Sequence, residues 1–326
     1  MQWHYRFVTI LERMGVETPI VQAGMGGGIS RHELAAAVSD AGGLGTIAVS
    51  GAGAIERELA AARALTDRPI AVNVLLPFAR RSWFEAAAAA DVVVTFWGAP
   101  KRRVAGAWIH QCGSVSEARA AHAAGADAVI VQGVEAGGHV RGSMPALELL
   151  ERVRAAVPPG YPLLLAGGVA ESADVRQALE AGAGAAVAGT RFLLSEESRA
   201  HAEYKRRLLD ADETVLTELF GLSWPAPHRV IPNAATERRL GADSRVPALN
   251  RALNHLFAPG ARFTPASTQR RLIRAQRPSG FLLTPQCPTD DGPPNLLDAG
   301  PLYAGQTVAR IGDVRRAAEI VADLTP

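Results

Sequence analysis

Short apolar runs alternate with segments of helical period along the first two-thirds of the chain. Residues 19–24 read as a buried strand, and a helix is expected to about residue 41. Ser30 and Glu33 have capping-box spacing at the start of that helix, and Gly42 and Gly43 end it. The alternation then repeats. Strands are expected over 44–49, 69–75, 91–95, 107–112, 127–132, 162–166 and 185–188. Helical stretches fall between most of them, over 54–65, 80–90, 116–124, 145–156 and 172–181.

Eight strand candidates in βα alternation imply a parallel sheet, and their number favours a (β/α)8 TIM barrel in the α/β class. An open doubly wound sheet stays possible, but its dinucleotide fingerprint is missing. The nearest match, at residues 24–29, has Ile29 in place of the final glycine, and no carboxylate follows about 20 residues later at a second strand end. Only residues 96–106 join the fourth and fifth candidates, too few for a full crossover helix. A missing or single-turn helix is predicted there.

After the eighth strand the periodicity dissolves. Residues 195–209 read as helical and 247–257 weakly so, among eleven prolines from Pro225 to Pro294. The last helix, predicted over 312–324, carries Val314, Ala317, Ile320 and Val321 at helical spacing and suits the eighth helix of a barrel. The expected division is therefore a barrel from residues 1–195 and 303–326, with residues 196–302 inserted between strand eight and its helix. Such an insertion sits over the active-site face, either as a helical side domain or as a wall of the substrate pocket.

Composition narrows the function. With 326 residues, 48% of them hydrophobic, the chain can bury a large core. A net charge of +2 argues against a dedicated nucleic-acid binder. Two cysteines, Cys112 and Cys287, make no disulfide framework, and a cytoplasmic location is the expectation. No run reaches the length of a membrane span, and residues 1–20 hold too many charges for a signal peptide. Between Arg199 and Gly280 there are fourteen Lys or Arg against seven Asp or Glu, which is solvated surface or a basic rim for an anionic ligand.

The chemistry-bearing stretch is residues 133–142, Gly-Val-Glu-Ala-Gly-Gly-His-Val-Arg-Gly, which follows the sixth strand. Glycines let backbone and ligand approach closely, and an imidazole at a strand end is the side chain best suited to proton transfer near neutral pH. His139 is thus the candidate catalytic residue. Glu135 and Arg141 could orient it or attract an anion, but the structural reading of both is favoured. At the ends of strands seven and eight, Ala166-Gly167-Gly168 and Gly189-Thr190 have the make-up of a phosphate cradle, with dipole from the helix near Ser172. Tight turning explains the same glycines. No metal site is expected.

At this point the chain resembles one family. Gln22-Ala23-Gly24-Met25, Asn73, Gln132-Gly133 with Glu135-Ala136-Gly137-Gly138-His139, Ala166-Gly167-Gly168, Gly189-Thr190-Arg191-Phe192 and Tyr303-Ala304-Gly305-Gln306 are similar to motifs of the FMN-dependent nitronate monooxygenases, formerly 2-nitropropane dioxygenases. The resemblance spans essentially the whole chain. It implies a TIM barrel with FMN at the strand ends, phosphate on the strand-seven and strand-eight glycines, and His139 beside the flavin. The cofactor contacts it implies are Ala23, Gly24, Met25, Asn73, Gln111, Gln132, Gly137, Gly138, Ala166, Gly167, Gly168, Gly189, Thr190, Tyr303, Gly305 and Gln306. The reaction it implies is oxidation of a small alkyl nitronate with dioxygen to a carbonyl compound and nitrite.

Three departures stand out. Gly24 replaces a proline found in many members, which predicts a more flexible wall; Gln111 stands where many carry lysine; and the fourth connection is short. The alternative on this scaffold is an NAD(P)H-dependent flavin enoyl-acyl-carrier or CoA reductase, which shares the Glu-Ala-Gly-Gly-His loop. Arg262, Arg270, Arg271, Arg274 and Arg277 would suit its acidic carrier or CoA partner. A flavin-binding subunit without turnover is the third reading. Oligomeric state is open.

Overall fold

The computed structural model describes residues 11–12, 14–241 and 245–326; the N-terminal reading over residues 1–10 lies outside the described residues. Eight parallel strands form the core: β1 (Ile20–Gln22), β2 (Gly45–Ile47), β3 (Ile70–Leu75), β4 (Val92–Phe96), β5 (Ala107–Cys112), β6 (Ala128–Gln132), then β8 (Leu163–Ala166) and β9 (Ala185–Ala188). They pair in the order β1-β9-β8-β6-β5-β4-β3-β2. A parallel bridge between Val21 and Leu44 closes the ring, with Gln22 N donating to Leu44 O at 3.0 Å and Leu44 N to Ile20 O at 2.9 Å. The fold is a TIM barrel.

The strands read as continuous apolar runs because both of their faces are covered. Val21, Ala71, Val94, Ile130, Leu164 and Val187 fill the barrel, while the alternate residues Ile20, Val72, Val93, Val129, Leu163 and Ala186 meet the surrounding helices. Gly45 permits one close approach. A Cβ there would lie 1.9 Å from Ala35 O on the helix His32–Asp40, so no side chain fits.

The helices after β2, β3, β5, β6 and β8 are Ala52–Arg63, Arg81–Ala87, Val115–Ala123, Ala146–Ala156 and Ser172–Glu180. Between β4 and β5 there is none among the described residues, as the short connection predicts. The final helix is shorter than expected, Ala317–Leu324, and packs against the helices His32–Asp40 and Ser172–Glu180, filling the eighth place in the ring.

Between β9 and that helix, only the second half of the expected 195–209 helix forms, as Ala202–Leu209, preceded by a single turn at Thr190–Leu193. The hairpin β10 (Val215–Thr217) and β11 (His228–Val230) follows, and β11 pairs antiparallel with β7 (Gly138–His139), the short strand within the loop after β6. The inserted chain is therefore hydrogen-bonded to the histidine loop. Its helices Ala248–Phe257 and Ala266–Ala275 extend further out, and the latter has no buried residue.

Candidate active site

The C-terminal ends of the strands open into a cavity of about 920 Å³, within the size range of cofactor and ligand pockets. Ala23, Gly24 and Met25 after β1, Asn73 on β3 and Gln111 on β5 all line it. A Cβ on Gly24 would lie 2.5 Å from Asn73 Cβ, so glycine here admits a close contact and tightens the wall that the sequence suggested it would loosen. Asn73 Nδ2 donates to Gly24 O at 3.4 Å, and Asn73 Oδ1 is buried without a partner.

Ser30 does not cap the helix that follows it. The N-cap is Arg31, and the buried Ser30 hydroxyl accepts from Met25 N at 3.1 Å and Gln22 Nε2 at 2.9 Å, fixing the turn after β1. Hydrogen-bonding donors inside the barrel mouth outcompeted the helix end for that oxygen.

Ala166, Gly167 and Gly168 at the end of β8, with Gly189 and Thr190 after β9, form the next part of the rim. Gly167 and Gly168 have φ of 111° and 78°, consecutive left-handed residues of the kind that form anion-holding backbone concavities. Thr190 Oγ1 accepts from Gly305 N at 2.9 Å, which leaves its hydrogen for a ligand. The expected contribution of the helix near Ser172 is reduced. Glu171 and Asp174 form a capping box at its first turn, and both carboxylates pair with Arg310, so the helix's own acids meet part of its positive end.

The histidine loop is held by amides. Gln132 Nε2 donates to His139 O at 3.1 Å, and Gln132 Oε1 accepts from Arg141 N at 2.8 Å, while the same side chain borders the cavity. Glu135 accepts from Ala146 N and so caps the helix Ala146–Ala156; Arg141 pairs with Glu117 and lies 5.0 Å over the Trp97 ring. Both side chains are thus engaged in contacts that hold the loop, and Glu135 also borders the cavity. Gly137 and Gly138 line the cavity, and Gly137 presses on the chain at Ala304 and Gly305, where a Cβ would come within 2.6 Å of backbone. Tyr303 and Gly305 also reach the cavity. Gln306 does not: its side chain is exposed, and it contributes only a backbone bond to Glu135 O at 3.0 Å.

His139 lies in an aromatic box. Its ring stacks on Trp224 with centroids 3.6 Å apart and planes 13° from parallel; Trp97, His228 and Tyr303 surround it at 6.3, 5.3 and 5.6 Å. Its Nε2 is buried without a partner. Burial, with a smaller contribution from His228, holds its pKa well below the usual histidine value, so the ring is a neutral base. His228 stands opposite His139 in the β7–β11 ladder. Phe220 N donates to His228 Nε2 and its Nδ1 lies 2.9 Å from Ala226 O, which assigns the proton to Nδ1; burial lowers its pKa to about 4. Arg229 Nη2 donates to Val134 O at 2.8 Å and ties the insertion to the loop a second time.

The nitronate monooxygenase family profile matches residues 9–105 and 84–326. The chain belongs to the nitronate monooxygenase family. It is a flavin-dependent oxidoreductase of that family. A Mycobacterium tuberculosis protein named (3aS,4S,5R,7aS)-5-hydroxy-7a-methyl-1-oxo-octahydro-1H-indene-4-carboxyl-CoA dehydrogenase is 35% identical, over 97% of this chain and 91% of its own length. A nitronate monooxygenase of Pseudomonas aeruginosa is 35% identical over 62% of this chain and 73% of its own length. Among solved structures, FabK from Thermotoga maritima superposes with a TM-score of 0.76 at 27% identity, covering 97% of this chain and 94% of that one.

Within this nitronate monooxygenase fold, sequence reasoning missed Trp97, Trp224, His228 and Arg229. Trp97 and Ser223, next to Trp224, adopt φ of 66° and 79°, uncommon for residues with a side chain and concentrated here beside His139. Nothing in the local sequence signals either conformation. The one available hint was a tryptophan in a Trp-Pro-Ala-Pro segment, residues 224–227, within otherwise irregular chain.

Proposed function

We propose that the chain binds FMN and oxidises small alkyl nitronates, and the nitroalkanes that give rise to them, with dioxygen to a carbonyl compound and nitrite. The observation that carries this is the unpartnered, enclosed Nε2 of a neutral His139 in a cavity floored by strand-end glycines. The residues present fit FMN. Gly167, Gly168 and Thr190 would hold its phosphate, and the orphaned Asn73 Oδ1 is an acceptor suited to a flavin N–H. No second nucleotide fingerprint accompanies them for an adenine half. When bound, FMN supplies the electron acceptor and the reaction with dioxygen. His139 Nε2 accepts the α-proton of a neutral nitroalkane, and a preformed nitronate needs no such transfer. The aromatic box excludes water from that nitrogen and fixes the ring's angle.

A second reading has one observation in its favour. Arg270, Arg271, Arg274 and Arg277 are exposed and carry no ion pair among the described residues, and their neighbours Gln269, Leu272 and Ile273 line the cavity. The side chain of Arg262 lies outside the described residues. A CoA ester or an acidic acyl carrier, with NAD(P)H as donor, would use that cationic edge, and the M. tuberculosis relative is named for a CoA compound. Anaerobic mixing of the holoprotein with ethylnitronate, a short acyl-CoA and NAD(P)H in separate cells tests both. Bleaching by nitronate alone supports the first reading; bleaching by NAD(P)H and not by nitronate supports the second.

A further inference from the structure

A second unpartnered nitrogen belongs to a residue that lines the cavity. Trp224 is 8% exposed and lines the cavity, and its indole Nε1 is buried with no hydrogen-bond partner. A buried N–H without an acceptor costs on the order of 1–3 kcal/mol, so a native structure that retains one invites a ligand explanation. The indole cannot readily turn to find another partner. His139 covers one face at 3.6 Å, while Phe78 and Trp97 meet it edge-on, with ring centroids at 5.6 and 5.2 Å. Ser223 in a left-handed conformation delivers it to that position.

We propose that Trp224 Nε1–H is the substrate-orienting donor of this site and binds an sp² oxygen on the substrate's reacting group. A nitronate oxygen and a thioester carbonyl oxygen share that chemistry. Base and donor rings are stacked 3.6 Å apart, so a substrate held through its oxygen at Trp224 would lie on the same side of the cavity as the imidazole that handles the proton on its α-carbon. Trp224 is then a specificity residue contributed by the insertion, a region whose sequence carries none of the family motifs. It selects for an acceptor, while His139 handles the proton.

The inference rests on the proposed function only in taking this cavity as the reaction site, and its test reads binding. In the FMN-loaded protein, butyrate, a non-reacting planar two-oxygen analogue of a nitronate, is titrated against butanol. Butyryl-CoA is titrated against its thioether counterpart butyl-CoA. Trp224→Phe keeps an aromatic ring against His139 and deletes the donor. Its Kd is expected to rise about tenfold or more, the factor that corresponds to 1.4 kcal/mol, for the member of at least one pair that carries the sp² oxygen, with its control changed much less. The pair affected identifies the oxygen's source. In the unmutated holoprotein, the Trp224 indole N–H resonance is expected to move on adding the same ligand, a readout that survives if the variant folds poorly. Equal losses for ligand and control in a variant that keeps its FMN, no loss, or an unmoved indole resonance would each overturn the proposal. Failure to oxidise nitronates with an intact indole shift would instead refute the function and leave the donor standing.

Discussion

The two sides of the cavity are built differently. On the barrel side the strand ends present backbone, small residues and amides, with consecutive left-handed glycines at 167 and 168 and Gly24 pressed on Asn73, and the bulky Phe78, Trp83 and Phe96 line only part of that side. On the insertion side it is bulky side chain, with Trp224 stacked on His139 and Leu272 and Ile273 on a helix that has no buried residue. The first surface suits a large planar cofactor with a charged tail, which is held through backbone. The second suits discrimination among small groups, because side chains can change there without disturbing the ring of strands. In the proposed function the barrel side would hold the cofactor and the insertion side would select the substrate.

The sharpest way to break that contrast is Gly167→Val. A β-branched residue at φ of 111° is strained in this backbone, and the concavity would close. The variant is expected to purify without flavin, whereas Arg270→Ser/Arg271→Ser/Arg274→Ser should retain all of it. Flavin absorbance per protein, with circular dichroism as the check on folding, decides the matter.

The same contrast explains what was legible in the sequence. Barrel strands are apolar runs ended by glycines, and each match between run and strand depends only on neighbours in the chain. The His139 loop and the glycines after β8 and β9 were readable for the same reason. The aromatic box was not, since it gathers residues 97, 139, 224, 228 and 303 from separate segments, and the left-handed turns at Trp97 and Ser223 follow from tertiary packing. Ser30 shows the limit from the other direction. Its spacing to Glu33 fits a helix cap, but Gln22 and Met25, brought close by the turn after β1, claimed its oxygen.

Acid stability sharpens the comparison, because each region buries a histidine. His110 on β5, bonded to Thr95, and His228 on β11 both have pKa values lowered to about 4, chiefly by burial. Below the ordinary histidine value the unfolded chain binds more protons than the folded one, so stability is complete above about pH 6.5 and falls as pH drops toward 4. Each group contributes up to about 3 kcal/mol to that loss at the 1.36 kcal/mol per unit of linkage. Denaturant melts at pH 7 and 4.5 should show one cooperative transition that weakens. Two separate transitions would show that the insertion unfolds alone.

A smaller effect is expected from the arginine triple variant itself. If the cationic edge meets an anionic carrier or nucleotide, KM for a CoA-linked substrate should rise about tenfold at low salt and much less at high salt, with a small nitronate unchanged. Equal change for both substrates would make the helix Ala266–Ala275 a packing element.

Whether a neutral His139 takes the proton in a site whose barrel side holds the flavin is decided by one pair of rates. His139→Asn, with bound flavin verified, is assayed on a neutral nitroalkane and on its preformed nitronate. Without the imidazole the nitroalkane rate is expected to fall about 100-fold or more and the nitronate rate markedly less. Parental rates with both forms, or losses of equal size, would contradict that role of His139.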